Sequence, residues 1–263
     1  MNTFARVTLL SMKDILKSRW SIIFLLFFSL ITEGLFQLSE SSSKVLLNLI
    51  SMSLIILPLI AIIFGVMYNY NSREFIELLL THPVNRSAVY SGLYLGLTLS
   101  LGICYSAGLV LPSIFHSSYS GQQITTFILL LLIGIALIAS FVAISFVIAT
   151  IVIDKGRGLG FVILIWLFFA VVYDGLILFV IYQFSAYPIE KAVMAMTMFN
   201  PIDLARISLL LHTDTAVMLG YTGALFKKFL GGYTGLILTS GIVIFWIIIP
   251  LFSGLRKFAK KDF

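Results

Sequence analysis

Six runs of apolar residues dominate the chain, at about 20–38, 45–70, 88–115, 124–153, 159–185 and 234–255. Each approaches or exceeds the ~20 residues a helix needs to cross the hydrocarbon core of a bilayer, so the pattern predicts six transmembrane helices. Ahead of the first run, Phe4, Val7, Leu10 and Ile15 recur at helical spacing with Arg6, Lys13 and Lys17 between them. This predicts an amphipathic helix over residues 1–19 lying at the membrane interface; a helix continuous with the first span fits the same residues equally well. Residues 20–263 then form one six-span domain.

The polar interruptions differ in length. Residues 39–44, 116–123 and 154–158 are short loops, whereas 71–87 and 186–233 can hold structure of their own. In 71–87, Phe75, Leu78, Leu79 and Val84 form one apolar face, Arg73, Glu74 and Glu77 lie off it, and Pro83 ends the helix. Such a helix either connects two spans or docks a partner, and its residues alone leave both open. In 186–233, Asn200-Pro201-Ile202-Asp203 is a helix start with proline at the first helical position. Gly220 and Gly223 break the chain further on, so re-entrant or surface-lying helices fit this stretch better than a folded domain.

Composition agrees with the pattern: 60% of residues are hydrophobic and 11% charged, with a mean hydropathy of +1.10. A soluble domain carries about 25% charged residues, so this chain is an all-α polytopic membrane protein. The net charge of +6 is not a nucleic-acid signal, because the basic residues gather at span ends. With the N-terminus inside, Arg6, Lys13, Lys17, Arg19, Arg73, Arg86, Lys155, Arg157, Arg256, Lys257, Lys260 and Lys261 fall on one side. Lys44, Lys191, Arg206, Lys227 and Lys228 fall on the other, four of them in one long loop. That asymmetry predicts cytoplasmic termini. No small-residue cleavage site precedes Trp20, so no removable signal is expected. The lone cysteine, Cys104, has no partner for a disulfide.

Candidate chemistry begins with absences. There is no G-x-x-x-x-G-K-S/T phosphate loop, so ATP and its magnesium, if used, belong to a partner. H-E-x-x-H, C-x-x-C and G-x-S-x-G are missing too, and the expectation is a non-catalytic subunit with no cofactor of its own. Glu33 and Asp174 lie within spans, where a carboxylate costs ~2.5–3.5 kcal/mol. Each faces the bundle interior, either as a hydrogen-bonded link between helices or as a functional acid. Met194, Met196, Met198 and Met218, with His212 nearby, offer soft ligands of the copper-binding kind. Met194, Met198 and His212 are the weak metal candidates, with interfacial packing as the other reading. His82, His116 and His212 lie in three loops on both sides and cannot share one metal, which disfavours an intramembrane enzyme. In the third span Gly92, Gly96, Ser100, Cys104 and Gly108 recur every four residues, a small-residue stripe that admits a second helix closely.

Residues 77–86, E-L-L-L-T-H-P-V-N-R, with Gly92 and Gly96 beyond them, resemble the cytoplasmic signature of ABC-2-type permeases. Glu77, Leu79, Leu80, Pro83, Val84 and Arg86 match; Glu74-Phe75 replace the usual Gly-Thr, Asn85 the Ser before Arg, and Leu93 a Lys. Residues 198–211 and 218–226 are similar to the external region of the NosY-type permeases, which serve the maturation of nitrous oxide reductase. The resemblance implies a type V exporter-like fold in the bacterial inner membrane, a homodimer, and a NosF-like cytoplasmic ATPase carrying ATP and magnesium. That ATPase would couple through Arg73, Glu74, Glu77, Pro83 and Arg86. It further implies a periplasmic NosD-like partner touching Asn200, Pro201, Asp203, Arg206 and Tyr221, with a copper-chaperone lipoprotein acting indirectly. A generic ABC-2 exporter of a lipid, drug or peptide shares every cytoplasmic feature and stays open.

Overall fold

The computed structural model describes residues 3–39, 41–81, 84–116, 119–184, 187, 190–210 and 233–260. Its helices, in chain order, are α1 Thr3–Lys17, α2 Arg19–Leu38, α3 Ser42–Asn71, α4 Arg73–Leu80, α5 Arg86–His116 and α6 Gly121–Ile151. They continue with α7 Lys155–Leu167, a π-helical turn Phe168–Val172, α8 Tyr173–Gln183, α9 Glu190–Met198, α10 Pro201–Leu210 and α11 Tyr233–Ala259. Among the described residues all regular structure is helical.

Six stretches are long and apolar enough to cross a membrane: α2, α3, α5, α6, the continuous rod Lys155–Gln183, and Gly241–Ala259 of α11. The chain is a multi-pass helical membrane protein, and its spans coincide with the six apolar runs. α5 and α6 have 31 residues each. At 1.5 Å per residue that is ~46 Å, against a core of ~30 Å, so both extend past the hydrocarbon.

The core lies between α3, α5 and α6. Tyr105 of α5 is fully buried there, its hydroxyl 3.3 Å from Ser53 Oγ on α3. Its ring lies over Gly134 of α6, where a Cβ would meet ring carbon at close range. Tyr94 ties the same helices by donating to the carbonyl of Ala139 at 3.0 Å. Several hydroxyls inside the spans are satisfied within their own helix: Thr32 donates to Phe28 O, Ser113 to Leu109 O and Thr150 to Phe146 O, all within 2.8 Å. In lipid, where water is absent, such internal satisfaction is required.

The small-residue stripe on α5 receives the N-terminal helices. Val7 lies against Gly92 and Ser11 against Gly96, and an added Cβ at Gly96 would stand 2.6 Å from Ser11 Cβ. Contact advances four residues at a time on both helices, so α1 runs parallel to this half of α5. Ser100 reaches Met12 O at 3.4 Å, and further along Gly108 meets Phe28 of α2, 2.8 Å from a built Cβ. Cys104 is buried within this stripe. The N-terminal amphipathic segment is a helix of its own, parted from α2 at Ser18, whose side chain accepts from Trp20 N to cap α2.

Candidate functional site

Two places concentrate the polar residues. One is the basic end of the bundle, where α3, α6 and α11 finish and α5 and α7 start. The other is a helical hairpin, α9–α10, held inside the bundle.

At the basic end the two arginines flanking α4 are turned inward. Arg73 donates to Ile153 O at 3.0 Å and to Ala149 O and Val152 O at 3.4 Å, the carbonyls left without partners at the end of α6. Its guanidinium also lies 4.8 Å from the centre of the Tyr70 ring, and Tyr70 donates to Val152 O at 2.8 Å. Arg86 reaches Ala259 O, at the end of α11, at 3.4 Å. A cation at a helix C-terminus is favoured by the helix dipole as well. α4 is thereby pinned by Arg73 and by Ile76, which is buried. Leu79 and Val84 pack partly on the core. The surface left outward carries Glu74 and Glu77, both exposed, with Phe75 at 40% and Leu78 at 67% exposure. The apolar face expected from spacing is therefore divided: Leu79 turns inward, Phe75 and Leu78 outward. Pro83 lies outside the described residues.

The hairpin turns inside the bundle. Asn200, at its tip and wholly buried, donates from Nδ2 to Phe169 O at 2.8 Å. Phe169 is midway along the rod Lys155–Gln183, in the π-helical turn; its ring packs edge-on against Phe141 of α6 and Trp246, midway along α11. Trp246 donates in turn to Met198 O at 3.5 Å, and Tyr173 to Met196 O at 2.6 Å. Asn200 thus bonds the rod within its π turn, the kind of local departure from the α-helix found at functional sites. The Asn200 side-chain oxygen also accepts from Ile202 N at 3.0 Å, capping α10 as the Asn-Pro-x-Asp signal predicts.

From that tip, α10 runs outward beside α8 and brings three charges together. Arg206 Nη1 is 3.0 Å from Asp174 Oδ2 and 3.0 Å from Asp203 Oδ1, and Asn200 Nδ2 is 2.8 Å from the other Asp203 oxygen. Two carboxylates thus share one guanidinium. Asp203 is only 4% exposed; burial, then the neighbouring Asp174 carboxylate, push its carboxyl up to about 7, with Arg206 and Asn200 opposing. A proton on one of the two acids makes the cluster neutral.

The other candidates separate. Glu33 pairs with His116 at 3.2 Å across the opposite end of α2 and α5. Gln37 donates to it at 3.1 Å, and Phe36 stacks on the imidazole. Met194 and Met198 pack against Ile207; His212 and Tyr221 lie outside the described residues. Asn200, Pro201 and Asp203, expected to face a partner, are buried inside the chain. Spacing had no means of finding Phe169, Tyr173 and Trp246 as their partners, since all three read as ordinary span aromatics. No family model matches the chain, and no curated protein matches it either.

Proposed function

We propose that this chain is the non-catalytic membrane subunit of an ABC-2-type transporter, driven by a separate cytoplasmic ATPase that binds ATP and magnesium. The observation that carries the reading is α4. A helix of eight residues is braced at the basic end by Arg73 and Ile76, yet presents Phe75, Leu78, Glu74 and Glu77 outward. Buried apolar contact flanked by charge is what a docking helix offers a partner groove. Bracing of Arg73 to the end of α6 gives a push on α4 a direct route into the spans, and Arg86, at the start of α5, ties that helix to the end of α11. Arg73 and Arg86 then act as transmission contacts inside the chain, and Glu74 and Glu77 meet the ATPase. On this reading the basic end is cytoplasmic, the membrane is a bacterial inner membrane, and the chain works as a homodimer. The thinly covered spans Lys155–Gln183 and Gly241–Ala259, in each of which 11% of an apolar 18-residue stretch is buried, supply surface for a second copy and for lipid.

The role we assign is that of the NosY type: coupling ATP hydrolysis to copper-site assembly of nitrous oxide reductase through a periplasmic NosD-like protein. The similarity of residues 198–211 and 218–226 supports it. A generic ABC-2 exporter is the second reading, favoured by the burial of Asn200, Pro201 and Asp203, which removes these side chains from a partner surface in this conformation. Co-purification tests the main claim. The tagged chain should bring down an ATPase, and Glu77→Lys should lose it; a chain that never carries an ATPase overturns the proposal. Replacing residues 211–226 separates the two roles, because it abolishes reductase copper loading only under the first.

A further inference from the structure

At the junction of α1 and α2 the bundle is incompletely filled. A cleft of about 670 Å³ lies between this junction and the last turns of α3, within the roughly 300–1,000 Å³ typical of small-ligand sites. Ile63, Phe64 and Met67 line it on the α3 side, followed toward the end of that helix by Tyr68 and Asn71, and the exposed Asp14 and Lys17 line it on the α1 side. Trp20, 66% exposed, stands at the rim beside Arg19, the combination found where a span meets the headgroup layer. Asp14 and Lys17 are three residues apart on α1, hence neighbours on one helix face. Neither makes an ion pair among the described residues.

We propose that this cleft binds a phosphatidylethanolamine molecule from the surrounding leaflet. The phosphate lies toward Lys17, the ammonium toward Asp14, and one acyl chain runs over Ile63, Phe64 and Met67. The charge pattern selects the headgroup. A lone cation would favour any anionic lipid; a cation and a carboxylate one helical turn apart match a phosphate and a primary ammonium joined by two carbons. Choline offers no N–H to the carboxylate, and phosphatidylglycerol brings a net negative charge and neutral hydroxyls, with no cation for Asp14. The bound lipid fills the gap between the α1–α2 junction and α3.

Brominated lipids test this with the full chain in nanodiscs. Phosphatidylethanolamine, phosphatidylcholine or phosphatidylglycerol, each brominated at carbons 6 and 7, is added at equal mole fraction, and tryptophan quenching is compared between the natural chain and Trp20→Phe. The difference isolates Trp20. The proposal expects the ethanolamine lipid to quench Trp20 at least twofold more than either other lipid, and this preference to vanish in both Asp14→Asn and Lys17→Gln. Both side chains are exposed, so the variants fold; elution as a single species checks this. Equal quenching by all three lipids, strongest quenching by phosphatidylglycerol, or an ethanolamine preference that survives both substitutions overturns it.

Discussion

Arg206 is the residue on which the inner network depends. It faces two carboxylates, Asp174 and Asp203, and its removal leaves both in a site with little water. Breaking a buried charge cluster at its shared partner costs several kcal/mol when fully desolvated. Arg206 keeps 32% of its side chain exposed, so for Arg206→Gln we expect a loss on the order of 2 kcal/mol. Asp174→Asn should cost less, because it also relieves repulsion between the acids. Thermal unfolding in detergent reads the difference, and equal losses would contradict the shared-guanidinium arrangement. The same cluster sets a pH dependence. Asp203 is held at about 7, above the ~3.9 of an ordinary aspartate, so the folded chain binds this proton more tightly than the unfolded one. The resulting stabilisation is full below pH ~4 and is lost as pH rises to about 7. The melting temperature should fall between pH 5 and 7.5 in the natural chain and fall less in Asp203→Asn. Both Asp174 and Arg206 are visible in the sequence, one as an intramembrane acid and the other as a loop charge. Their pairing is not, because it depends on how deep a hairpin enters the bundle, and hydropathy does not encode depth.

Among the elements, α4 and α1 illustrate what periodicity conveys and what it omits. The helix over 73–80 and its amphipathic character follow from the spacing of Phe75, Leu78, Leu79 and the flanking charges, while the buried Ile76 lies outside that face. Which apolar residues turn inward does not, since that is decided by the C-terminal carbonyls of α6 that capture Arg73. Arg73→Ala should therefore lower stability by about 1–3 kcal/mol for the carbonyls it strands, while Glu77→Lys, on the exposed face, should leave stability within ~0.5 kcal/mol, both read by thermal unfolding. An equal effect of the two would contradict the inward placement of Arg73. The stripe on α5 is legible as an invitation to a neighbouring helix; that the guest is the chain's own N-terminus becomes evident only from the contacts of Val7 and Ser11. Gly96→Val should push α1 off α5, and trypsin cleavage at Lys13 should accelerate several-fold relative to the natural chain. Unchanged cleavage would mean that α1 is held by other contacts.

At the scale of the molecule, six spans are readable from six apolar runs because each approaches or exceeds the membrane thickness and charge gathers at their ends. The further buried pieces, α9 and α10, escape that logic: they are short, polar at the tip, and held against a π turn where Asn200 donates to Phe169 O. The result is a bundle with a braced helix at its basic end and a charged hairpin in its other half, both touching the rod Lys155–Gln183 or the helices packed on it. On the proposed function, a push at one end reaches the other through these packed helices. The most direct test of the proposed motor coupling is a cross-link from the outward face of α4. With Cys104→Ser to remove the native thiol, Leu78→Cys in native membranes, treated with a short thiol-to-amine cross-linker, should yield one adduct containing a nucleotide-binding ATPase. Its yield should change when ATP is trapped on that partner. An adduct with no ATPase, or none at all while the protein remains folded, would contradict the account.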